Sequence, residues 1–195
     1  AILGGSRVTE RGANYALVEL AETLGAPVIT ESGTTHGRLA FPSDHPLYGQ
    51  GLPPWAPEIH DRLKEFDVIF VTGMDLFRLY IHYEPDLAIP RHIQLIHLDE
   101  SPREIGKNFP VEVGLIGDTL EGIQAITAGL RANMTDRERA LVEQKTIDWS
   151  ARHSDAREKL KEQIESEREQ MPLTPLCFME AVGRVLPPNV AVVEE

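Results

Sequence analysis

Apolar residues in this chain fall into two kinds of pattern. Short unbroken runs end in glycine or aspartate, and longer stretches carry apolar residues every three or four positions. The first kind marks strands buried on both faces, and the second marks helices with one buried face. Ala1-Ile2-Leu3 is a short strand running into glycines. Thr9 is the N-cap expected for the helix after it, with Ala13, Ala16, Leu17, Leu20, Ala21 and Leu24 as its buried face and Gly25 as its end. Pro27 to Thr30 reads as the next strand. Glu31 to Pro54 has no period and reads as one long loop rich in Gly, Pro, His and Thr.

A helix is expected from the Pro53-Pro54 pair, with Ile59, Leu63 and Phe66 facing inward. Asp67 to Gly73 and Ile93 to Asp99 are further strands. Ser101-Pro102-Arg103-Glu104 has the form of an N-cap, a first-turn proline and a capping box, and predicts a short helix. Val111 to Ile116 reads as a strand. The helix after it is capped by Asp118 and Glu121 and buries Leu120, Ile123, Ile126 and Leu130. Strand-then-helix repetition predicts an α/β fold, a parallel sheet with helices on both faces.

The pattern changes at Thr135. From there to Gln170 the chain is dense in charged residues, with sparse apolar positions such as Leu141, Ile147, Trp149, Leu160 and Ile164. This predicts a solvated helical connector that its neighbours alone would hold, with Trp149 able to anchor it. Pro172 to Pro175 breaks it. A further helix carries Leu176, Met179, Val182 and Leu186, and Val190 to Glu195 reads as a strand. Both ends falling inside strands suggest a piece of a longer protein.

Composition narrows the function classes. The net charge of −12 argues against nucleic acid or an anionic membrane as partner. No apolar run has the roughly 20 residues that span a bilayer. One cysteine, Cys177, rules out an internal disulfide framework and a multi-cysteine metal site, and suits a cytoplasmic location. His36, His45, His60, His82, His92, His97 and His153 are scattered without a ligand spacing, and no G-x-S-x-G elbow occurs. No catalytic residue and no metal ligand is assigned.

The candidate binding residues stand at the carboxyl ends of strands, where open α/β sheets hold ligands. Gly4, Gly5 and Ser6 follow the first strand, Gly73 follows the run Val68 to Thr72, and Asp99 ends a strand. With Arg78 they form a candidate nucleotide crevice. The full G-x-G-x-x-G fingerprint is missing. The glycines equally suit strand-to-helix turns, Asp99 equally suits a helix cap, and Arg78 equally suits an ion pair.

The segments Phe41 to Tyr48, Leu52-Pro53-Pro54 and Phe66 to Gly73, then Phe77-Arg78, resemble thiamine-diphosphate enzymes of the benzoylformate decarboxylase type. Ile96 to Asn108 and Val111 to Asp118 resemble the central domain of the wider superfamily, which includes acetolactate synthase and pyruvate oxidase. The resemblance implies a Rossmann-like central domain over 1–133, a charged helical linker over 134–172 and the truncated start of a diphosphate-binding domain over 173–195. It implies a longer enzyme that uses thiamine diphosphate and Mg2+ to decarboxylate a 2-oxo acid or cleave a similar carbon–carbon bond.

By the same resemblance, both cofactor-binding halves lie on the pyrimidine-binding and diphosphate-binding domains, which this piece lacks, so the piece itself is inactive. The longer enzyme is expected as a homodimer or homotetramer. FAD is not expected, because Met74 to Tyr80 departs from the flavin-binding members. An FAD-containing acetolactate-synthase-like carboligase and a stand-alone nucleotide-binding module are the alternatives.

Overall fold

A computed structural model of the chain describes residues 1–31, 39–77 and 87–190. Six strands are described: β1 (Ile2–Gly4), β2 (Val28–Thr30), β3 (Tyr48–Gly51), β4 (Val68–Thr72), β5 (Gln94–Asp99) and β6 (Val113–Ile116). They form one sheet in the order β3-β2-β1-β4-β5-β6. Every pairing is parallel. The helices are α1 (Ser6–Glu10), α2 (Asn14–Leu24), α3 (Ala56–Leu63), α4 (Thr119–Asn133), α5 (Asp136–Glu167) and α6 (Pro175–Val185). This is the expected α/β architecture. The strand order reverses between β1 and β4, which makes their carboxyl ends the switch point of the sheet.

The sheet separates two apolar layers. On one face, Ile2, Val28, Phe70 and Leu98 pack with α2 and with Ile123 of α4. On the other, Leu3, Ile29, Ile69, Val71 and Leu95 pack with Ile59 and Leu63 of α3. Strands buried on both sides explain the unbroken apolar runs.

Four local expectations are corrected. Thr9 is no N-cap: it lies inside α1, and its hydroxyl donates to the Leu39 carbonyl at 2.8 Å. Gly12, at φ 64°, follows α1, and α2 starts at Asn14. Ser101 to Glu104 forms hydrogen-bonded turns, not a helix. The Ser101 N–H is taken by the Asp99 carboxylate at 2.8 Å, so Ser101 is held to the strand end. The stretch from Glu31 to Pro54 contains a strand, β3, with an irregular register against β2. Its Tyr-Gly-Gln-Gly sequence at the sheet edge carries no buried alternation to read. The last strand spans only Val113–Ile116. The strand expected after Val190 falls outside the described residues.

The charged segment is a single 32-residue helix with no buried residue, opened by a reciprocal capping box between Thr135 and Glu138. Its first half is nonetheless anchored on the domain. Trp149 stacks on Phe66 at 5.8 Å between ring centroids, and the Arg152 guanidinium lies 4.4 Å over the Trp149 ring. Arg152 also pairs with Glu65 at 2.8 Å. Gly25, the left-handed end of α2, lets α5 pass closely: a β-carbon there would stand 2.6 Å from the Val142 carbonyl oxygen. α6 folds back on α5, where the buried Cys177 thiol lies 3.5 Å from the Ile164 carbonyl.

Candidate functional site

The switch point gathers Gly5, Ser6, Gly73 and Asp99 within one region, but their own neighbours occupy the space between them. The Gly5 N–H donates to the Thr72 carbonyl at 3.0 Å, and the Arg7 N–H donates to the Gly73 carbonyl at 3.1 Å. The two strand-end loops are therefore bonded directly to each other. A β-carbon on Gly5 would sit 2.2 Å from Met74 Cβ and 2.3 Å from the Gly73 oxygen. Gly73 has φ 65°, and a β-carbon there would meet the Val8 nitrogen at 2.8 Å. Glycine is required at both positions for contact between protein segments. Gly4 serves packing as well, against Leu17 and Ala40.

Polar groups complete the closure. The Ser6 N–H, at the start of α1, donates to the Glu31 carboxylate at 3.3 Å. Arg7 extends one guanidinium nitrogen to Asp75 at 2.7 Å and the other to Asp99 at 2.5 Å. The Asp99 side chain is almost fully buried, with 1% exposed. Burial by itself would raise its pKa. His97, the Ser101 N–H and the Arg7 guanidinium outweigh that and hold the carboxyl below the ordinary range. Burial likewise works against the Arg7 charge, and the two aspartates overcome it and raise its pKa. Beside them His97 is wholly buried in β5. Its Nε2 stands 3.8 Å from Asp99 Oδ2, and among the described residues neither ring nitrogen has a hydrogen-bond partner, nor does the Thr72 hydroxyl.

Arg7, Asp75 and His97 were not among the expected site residues. A pointer to Arg7 was present: a carboxylate ending a strand buried on both faces needs a buried counter-charge. Arg78 falls outside the described residues.

A dinucleotide does not fit the described crevice as it stands. The glycine approach that a pyrophosphate would use is filled by Gly73 and Met74, and the carboxylate that a ribose would use is held by Arg7. Thiamine diphosphate and magnesium do not fit either. Among the described residues no group of three or more His, Cys, Asp or Glu converges as a metal site. Asp118, after Gly117, is engaged as the N-cap of α4 through the Glu121 N–H at 3.0 Å. Among the described residues no helix is long and apolar enough to cross a membrane.

Residues 1–126 match the family model described as thiamine pyrophosphate enzyme, central domain. The chain is 34% identical over 141 residues to a sulfoacetaldehyde acetyltransferase of Roseovarius nubinhibens, covering 71% of this chain and 23% of that protein. It is 33% identical over 129 residues to an acetolactate synthase of Mycobacterium bovis, covering 65% and 20%. Among solved structures, a thiamin diphosphate-dependent enzyme from Mycobacterium smegmatis superposes with a TM-score of 0.59 at 31% identity, over 65% of this chain and 24% of that one. A 4-hydroxybenzoylformate decarboxylase from Rhodococcus jostii gives 0.59 at 27% identity, over 67% and 24%. The chain thus spans about a quarter of the length of these relatives.

Proposed function

Since this chain belongs to the family of thiamine pyrophosphate enzyme central domains, we propose that it is the structural middle of an enzyme that decarboxylates a 2-oxo acid. Thiamine diphosphate with Mg2+ supplies the carbon chemistry, and the cofactor belongs to flanking domains. The central domain holds those domains in place and carries no catalytic group. Residues 1–133 form this domain, 134–172 link it onward, and 173–195 open the diphosphate-binding domain. The assembled enzyme is a cytoplasmic homodimer or homotetramer. Similarity to a 4-hydroxybenzoylformate decarboxylase supports the reaction class.

One observation carries the structural role: Arg7 crosses the switch point and ties both aspartates to α1. Among the described residues, a crevice closed by its own charges offers no free donor set for a pyrophosphate. The full-length enzyme provides the test. Purified with thiamine diphosphate and Mg2+, it should release carbon dioxide from one or more of a panel of 2-oxo acids. It should also be colourless. A stoichiometric flavin absorbance band, with condensation of two 2-oxo acids in place of simple decarboxylation, would overturn the reading.

A further inference from the structure

We draw no further inference here: the strongest candidate, the buried side-chain cluster of His97, Asp99 and Arg7 at the switch point of the sheet, belongs to the crevice already described, and nothing among the described residues shows what the two ring nitrogens of His97 would hold.

Discussion

Arg7 and Asp99 are 92 positions apart in sequence and meet at 2.5 Å across the switch point, with Asp75 held by the other arm of the same guanidinium. The bridge joins the first βα turn to the ends of two other strands, so it fixes the relative placement of three loops. It also neutralises a carboxylate that is almost wholly inside the protein.

Removing one partner leaves the other charge buried and unpaired. Arg7→Met should therefore destabilise the domain by about 3 kcal/mol, within the range for broken buried pairs. The variant Arg7→Met with Asp99→Leu should recover part of that loss. Urea denaturation of the three proteins checks this. Equal stability of Arg7→Met and the unsubstituted chain would show that the bridge contributes nothing net.

Gly5 and Gly129 make a matched pair of alanine substitutions. At Gly5 the new β-carbon meets backbone and Cβ atoms at 2.2 to 2.6 Å, with no flexible side chain to yield. Gly129 sits in α4 with nothing within 4 Å. Gly5→Ala should cost several kcal/mol or prevent folding, and Gly129→Ala should stabilise by roughly 0.5–1 kcal/mol through helix propensity. Thermal denaturation distinguishes the two. A tolerated Gly5→Ala would mean that the two strand-end loops separate more easily than their contacts suggest.

Helix α5 should not behave uniformly. Val142, Trp149, Arg152 and His153 touch the domain, the last edge-on to Tyr48 at 6.4 Å between ring centroids, and the far half of α5 packs against α6. Hydrogen exchange should be slower around Val142 to His153 than around Lys159 to Glu162. Trp149→Ala should speed exchange in the first region and leave the second unchanged. Uniform exchange along the helix would contradict this.

The buried strands were legible in the sequence because burial on both faces writes itself as an unbroken apolar run, as in Val68 to Val71. The edge strand β3 was not, since Tyr48 to Gly51 packs little and bends at Gln50, which has φ 66°. Ser101 to Glu104 had every local mark of a helix start, yet the Asp99 carboxylate two residues upstream takes the Ser101 N–H and the segment closes as turns. Gly5, Gly73 and Asp99 do stand near one another at strand ends, as their places after apolar runs implied. What they do there depends on Arg7 and Asp75, whose pairing spans 68 positions and leaves no local trace. Glycine in such a turn looks the same whether a phosphate or another stretch of backbone comes close.

The unbroken course of α5 imposes a phase on whatever follows it. A helix advances about 1.5 Å and turns about 100° with each residue. Inserting one residue between His153 and Lys159 would rotate α6 by about a quarter-turn relative to the sheet. Four residues would nearly restore its heading while moving it about 6 Å outward. A flexible loop would absorb either change. This junction registers both, so insertions of four residues should be far better tolerated than insertions of two.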